Sequence, residues 1–191
     1  ILPSMFRFSH IMIATFLLLL GCNSQSVSIE DELPDTSDSE FVIGADLSYI
    51  NQILDYNGEY KVDGQVQDPY TIFAEKGATT ARFRLFNDPS WFEDIYGDDA
   101  QIYNDIKDVG LGIERAKNAG MSILLDFHYS DVWADPGRQE TPSAWDGKDF
   151  EAVADSMYSY TLNSLQYLNE RNLLPEMVQI GNETNCGLVH P

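Results

Sequence analysis

Near the end of the chain, Met177-Val178-Gln179-Ile180-Gly181-Asn182-Glu183 sets an amide and a carboxyl group side by side after a short apolar run. A carboxyl becomes a general acid when an apolar setting raises its pKa, and Val178 and Ile180 are expected to hold Glu183 in such a partly dry place. Asn182 is a neutral donor suited to a sugar hydroxyl. A bare Asn-Glu dipeptide recurs by chance; at the carboxyl end of a parallel strand it carries weight. A second group is Arg82-Phe83-Arg84, whose cations are two residues apart and share one strand face. Charges buried there need carboxylate partners. The pair therefore reads as a structural ion pair, with Asp126 as a candidate partner, or, for Arg84 nearer the carboxyl end, as part of a site.

The third group is Asp126-Phe127-His128-Tyr129-Ser130-Asp131-Val132-Trp133-Ala134-Asp135-Pro136-Gly137. A lone histidine is usually a core residue, but here an imidazole, a tyrosine, a tryptophan and two carboxylates follow one another closely. Sugars call for that mixture, because their C–H faces stack on rings while their hydroxyls bond to carboxylates and imidazole. Metal ligation is disfavoured: no second histidine stands at ligand spacing from His128, since His10 is near the start and His190 near the end.

These groups need strands to hold them. Phe41-Val42-Ile43-Gly44-Ala45 reads as a buried strand with Asp46 at its carboxyl end, followed by a polar loop. Asp68-Pro69 predicts an N-cap and first-turn proline for a short helix that turns Ile72 and Phe73 inward and stops at Gly77. Ala81–Phe86 is the second strand. Val109, Ile113 and Ala116 form one helical stripe ending at Gly120. Ser122–Phe127 is a third strand, apolar enough to be covered on both faces. A helix starting near Asp149 spaces Val153, Met157, Thr161, Leu165 and Leu168 at helical period, with Pro175 beyond it, and Met177–Ile180 is the fourth strand.

Four such units in a row predict a parallel sheet with right-handed crossovers. A doubly wound nucleotide-binding sheet would put a glycine-rich phosphate loop after the first strand, and Gly44-Ala45-Asp46-Leu47-Ser48-Tyr49 is not one. The fold class expected is α/β, a (β/α)8 barrel of which about the first four βα units are present, since a whole barrel takes about 250 residues.

Upstream, Met5-Phe6-Arg7 precedes the run Ile11–Leu20, whose ten apolar-rich residues are too few to span a bilayer and have the length of a signal-peptide core. Leu19-Leu20-Gly21-Cys22 resembles a bacterial lipobox, with Cys22 the lipid-accepting thiol; an ordinary secretory signal is the alternative. Residues 1–21 are thus expected to be a lipoprotein signal and 22–40 an extended acidic tether, carrying six acids and no base. With Cys22 lipidated, Cys186 stands alone.

From Phe41 to Pro191 the chain resembles the N-terminal half of a glycoside hydrolase family 53 endo-β-1,4-galactanase, a member of the large retaining (β/α)8 clan. The resemblance rests on Gly44-Ala45-Asp46-Leu47-Ser48, on Arg82-Phe83-Arg84-Leu85-Phe86-Asn87-Asp88-Pro89, on the long block from Asp126 to Gly137, and on Val178-Gln179-Ile180-Gly181-Asn182-Glu183. It implies hydrolysis of β-1,4-galactan, the neutral side chain of pectin. Glu183 would be the acid/base, Asn182 would hold the sugar 2-hydroxyl and Arg84 would orient the nucleophile. His128, Asp131 and Trp133 would line the cleft, with Asp46 in support. The clan's nucleophile glutamate, at the end of strand seven, has no counterpart in residues 1–191, so this piece alone is expected to be inactive and poorly folded. His190-Pro191 departs from the family, which often has an aromatic residue before that proline.

The formal net charge of -20, from 31 acids against 11 bases, excludes nucleic acid and polyanionic glycans as partners of the folded part. Residues 41–191 keep 25 acids and 10 bases, a balance suited to a neutral polymer. No cofactor is expected here, and the resemblance leaves a calcium ion only to the C-terminal half. The expected protein is a monomer at full length, exported, and bound to the bacterial membrane only through a lipid, at the outer membrane facing periplasm or cell surface. A non-catalytic glycan-binding lipoprotein, or a related retaining endo-glycanase for another β-linked polysaccharide, are the alternatives.

Overall fold

The computed structural model describes residues 41–189. The expected signal, the tether, Cys22 and the His190-Pro191 pair lie outside the described residues.

The first strand, β1 (Gly44–Asp46), leads into α1 (Ile50–Asp55), and a small antiparallel hairpin of β2 (Lys61–Val62) and β3 (Gln65–Val66) follows. Asp63 and Gly64 turn that hairpin with positive φ angles of 50° and 80°, which an Asp-Gly pair adopts readily. In α2 (Pro69–Glu75), Asp68 Oδ2 accepts from Thr71 N at 2.8 Å and Pro69 opens the first turn, as its sequence predicts. Next come β4 (Thr80–Leu85), α3 (Trp91–Tyr96) and α4 (Ile106–Asn118). Asp105 caps α4 by accepting from the amides of Lys107 and Asp108. Then β5 (Ser122–Phe127) precedes α5 (Phe150–Asn169), capped by Asp149, and β6 (Met177–Ile180) leads to a short 3-10 turn at Thr184–Cys186.

The four main strands are parallel in the order β1-β4-β5-β6, each added beside the one before it in the chain. That stepwise order is how a barrel winds, whereas a doubly wound sheet reverses direction at its middle. Register sorts the side chains by face. Ala81, Phe83 and Leu85 of β4 and Ile123, Leu125 and Phe127 of β5 are all buried, and they form one core with Val109, Ile113 and Ala116 of α4. Arg82, Arg84 and Asp126 alternate with them and so face the other way, toward the concave side.

Two expectations need correction. Phe41–Ile43 are not part of a buried strand: Phe41 is 82% exposed, and the strand itself begins only at Gly44. Among the described residues β1 pairs with β4 alone, and nothing described covers the apolar run before it. At the opposite edge Val178 and Ile180 are also exposed, Ile180 by 64%. Register sets them beside Leu125 and Phe127, on the helix side of the sheet, with no described helix over them. The loop expected between β1 and α2 also holds the unforeseen helix α1 and the hairpin.

Candidate active site

The carboxyl ends of β1, β4, β5 and β6 bring four sequence groups to one place. Arg82, pointing to the concave side, spans three of them. Its Nη1 donates to Asp46 Oδ2 at 2.6 Å, and its Nη2 donates to Asp126 Oδ2 at 2.5 Å and to Asn182 Oδ1 at 2.9 Å. Arg84, one pleat further on, forms an ion pair with the same Asp46 oxygen, its Nη2 2.9 Å away. Its guanidinium lies between two rings, 4.3 Å from the Trp133 centroid and 5.2 Å from that of Tyr49. Arg82 makes the ion pair with Asp126, and Arg84 stands beside Asp46, Trp133 and Tyr49.

Asp46 is the hinge of this arrangement. Burial pushes its carboxyl pKa up, but hydrogen bonds from Ser48 and the charges of Arg84 and Arg82 outweigh burial and leave it below the ordinary 3.8. It is therefore an anion, and two cations share it.

Asn182 is buried, and its amide is spent on the protein in a definite orientation. Oδ1 accepts from Arg82 while Nδ2 donates to Ala134 O at 2.7 Å, and the second amide hydrogen has no acceptor among the described residues. Gln139, also buried, donates to Asn182 O at 2.8 Å and to Asp135 O at 3.1 Å, and so fastens the loop after β5 to the end of β6. Glu183 adopts a left-handed backbone (φ 49°, ψ 47°), a conformation unfavourable for a residue with a Cβ. Gly181 before it has φ 77°, and a Cβ there would lie 2.5 Å from Thr184 Cγ2, so only glycine fits.

The dry setting expected for Glu183 from Val178 and Ile180 is not found. Glu183 is exposed, and those two side chains point to the opposite face of the sheet.

His128 does not line an open cleft: it is 1% exposed, and its Nδ1 accepts from Ala134 N at 3.0 Å. Its period-two relation to Asp126 carries it inward beside that carboxylate, with Phe86 and Trp133 edge-on to its ring. Asp131 stands outside the cluster as well. Its carboxylate accepts from Asp88 N, Ser143 N and Ser143 Oγ, and its carbonyl accepts from Trp91 Nε1, so it ties together the loops after β4 and β5.

The structure adds Tyr49, Arg82, Asp126, Gln139 and the Ala134 peptide to the site. Only Arg82 and Asp126 carried a sequence signal, as charges at alternate positions of apolar strands. Among the described residues no group of three His, Cys, Asp or Glu side chains is placed to hold a metal ion, and no helix is long and apolar enough to cross a membrane.

The family model for glycosyl hydrolase family 53 matches residues 42–191. An arabinogalactan endo-beta-1,4-galactanase of Cellvibrio japonicus (strain Ueda107) is 42% identical over 180 residues, covering 94% of this chain and 43% of the relative. The endo-beta-1,4-galactanase of Bacillus subtilis (strain 168) is 38% identical over 155 residues, covering 78% of this chain and 34% of its own length. Among solved structures, the Ignisphaera aggregans GH53 catalytic domain superposes with a TM-score of 0.71 at 36% identity, over 79% of this chain and 42% of that one. A fungal beta-1,4-galactanase structure gives 0.69 at 32% identity, again over 42% of its length. The four parallel βα units are therefore part of a (β/α)8 barrel, and the chain spans less than half the length of these relatives.

Proposed function

The chain belongs to glycosyl hydrolase family 53, and from that premise we propose that it supplies the acid/base side of a retaining endo-β-1,4-galactanase. The observation that carries the reading is the junction at the end of β6, where Asn182 is locked by Arg82 and Ala134 and the next residue, Glu183, turns out into solvent in a left-handed conformation. Glu183 is the acid/base in this reading: it protonates the leaving glycosidic oxygen and later takes a proton from the attacking water. Asn182 offers its free amide hydrogen to the sugar 2-hydroxyl. Arg84, fixed by Asp46 and two rings, orients the nucleophile carboxylate, which is supplied by sequence outside residues 1–191. A retaining pair stands about 5–5.5 Å apart, so that carboxylate must stand at about that distance from the Glu183 carboxyl.

The substrate is β-1,4-galactan, and its neutrality agrees with a strongly acidic domain whose two site arginines are already paired with Asp46 and Asp126. We also propose export with Cys22 as the lipid-bearing residue, supported by the apolar run that ends in Leu19-Leu20-Gly21-Cys22; fatty-acid labelling that persists in Cys22→Ser would refute it. The deciding experiment uses the natural-length protein. It is assayed on β-1,4-galactan beside mannan, xylan and β-glucan, with Glu183→Gln in parallel. The variant should lose turnover and keep polymer binding. Equal turnover by the variant refutes the role of Glu183, and preference for another polymer refutes the substrate.

A further inference from the structure

A buried histidine beside a buried carboxylate invites the reading of an ion pair, yet the hydrogen bonds here specify something else. Nδ1 of His128 accepts the Ala134 N–H at 3.0 Å and so carries no proton. The one proton of the neutral ring is on Nε2, which lies 3.1 Å from Asp126 Oδ2 at an angle too bent for a full hydrogen bond.

Followed outward, these contacts close on themselves. Ala134 N–H donates to His128; His128 Nε2–H faces Asp126 Oδ2; Arg82 Nη2 donates to that oxygen and to Asn182 Oδ1; and Asn182 Nδ2 donates back to the carbonyl of Ala134 at 2.7 Å. Four of these five links are hydrogen bonds; the fifth, His128 Nε2 to Asp126 Oδ2, is a close contact only, and Asp126 Oδ1 has no hydrogen-bond partner among the described residues. Ala134 and Asp126 are fully buried, and His128 and Asn182 nearly so. A flipped Asn182 amide would set its oxygen against the Ala134 carbonyl and its NH2 against the Arg82 guanidinium, so the ring tolerates one amide orientation only.

We propose that His128 is a positioning residue for catalysis. By accepting from one side of the Ala134 residue, it fixes the carbonyl on the other side, which in turn holds Asn182 with its free N–H toward the substrate. It touches no substrate itself. The inference rests on the galactanase reading for its kinetic consequence and on the ring alone for its protonation state.

The test compares His128→Leu, which has no acceptor, with His128→Asn, whose Oδ1 can occupy the place of Nδ1, in the natural-length protein on β-1,4-galactan. His128→Leu should lower kcat by about 100-fold, the scale of a misplaced catalytic contact, with KM within about twofold. His128→Asn should restore most of that loss. In an Asn182→Ala background, His128→Leu should cost less than about threefold more, because a residue that acts through Asn182 has nothing left to position. Losses that multiply, a rise in KM at unchanged kcat, or Asn no better than Leu would each overturn the proposal. Should His128→Leu fail to fold, the Asn variant and the wild-type imidazole still decide. The wild-type ring should read by nitrogen-15 NMR as the Nε2–H form, and a protonated Nδ1 refutes the ring. Wild-type protein without turnover on galactan would sink the galactanase reading, while the same NMR spectrum still judges the ring.

Discussion

Arg82→Met separates what the arginine does for stability from what it does for the site. The guanidinium holds Asp126 at 2.5 Å, Asp46 at 2.6 Å and Asn182 at 2.9 Å, and the Asp126 side chain is wholly buried. Asp46 survives the loss, because Arg84 and Ser48 still contact it. Asp126 does not: its remaining polar neighbour is His128, at 3.1 Å and bent. Removing one partner of a buried pair leaves an uncompensated charge and costs about 3–5 kcal/mol, while replacing both partners by apolar residues of similar volume is often neutral. Arg82→Met should therefore destabilise by about 3–5 kcal/mol, and Arg82→Met/Asp126→Leu should regain about 2 kcal/mol or more of that loss. Both variants take the charged donor from Asn182 Oδ1, a bond worth about 1.5–3 kcal/mol, so both should turn galactan over about 10–100-fold more slowly. Urea unfolding of the natural-length protein, with unchanged slope, gives the stabilities and initial rates give the turnover. A single variant that costs under about 1 kcal/mol, or a double variant no more stable than the single, refutes the argument that Asp126 is a buried anion held by Arg82. A double variant that regains turnover along with stability shows that Arg82 does nothing for Asn182.

Three further outcomes follow from the same geometry. Gly181→Ala forces a side chain into φ 77° and a contact of 2.5 Å with Thr184 Cγ2, so turnover should fall by about tenfold or more, out of proportion to a melting shift set by about 1–2 kcal/mol of left-handed strain; normal kinetics would show that Glu183 tolerates the displacement. Gly112→Ala builds a Cβ 2.5 Å from Phe83 Cε1, and overpacking of about 1–3 kcal/mol should exceed the helix-propensity gain of about 1 kcal/mol, so Tm should drop; a higher Tm refutes the close approach of α4 to β4. Because Asp46 has a folded pKa below 3.8, its pairing stabilises fully above that value and is lost as pH falls through the lower folded one; Asp46→Asn should flatten the acid limb of a stability–pH curve below about pH 4, and an unchanged limb would remove Asp46 from the charge balance.

What could be read from the sequence follows physical range. β4 was legible because charged and apolar residues alternate along it, β5 because its short run is apolar enough to be covered on both faces, and α4 and α5 because a stripe of three or more apolar residues at helical spacing needs no knowledge of the partner. α1 and α3, six residues each, carry too short a pattern and owe their form to tertiary contacts. Asn182, Glu183 and Arg84 were legible as residue types at strand ends. The ring was not: two of its links belong to the Ala134 backbone, where residue type says nothing, and Gln139 reaches the site across 43 residues. The aromatic neighbours of His128 suggest sugar stacking, whereas its position two residues after Asp126 already puts it on the concave, buried side.

The charge pattern of the site explains why so acidic a domain needs two arginines at its centre. Arg82 and Arg84 are matched by Asp46 and Asp126, so the locked part of the site is close to neutral, and Glu183, with no ion pair among the described residues, stands outside it. Arg84 is only half used: Nη2 serves Asp46, the two rings hold the guanidinium plane, and Nε is buried without a partner among the described residues. A buried donor left unpaired costs about 1–3 kcal/mol, which the ion pair with Asp46 and the contacts with the Trp133 and Tyr49 rings offset. In the proposed galactanase reading, a second carboxylate standing on the concave face, as retaining hydrolysis requires, would give this guanidinium a further acceptor.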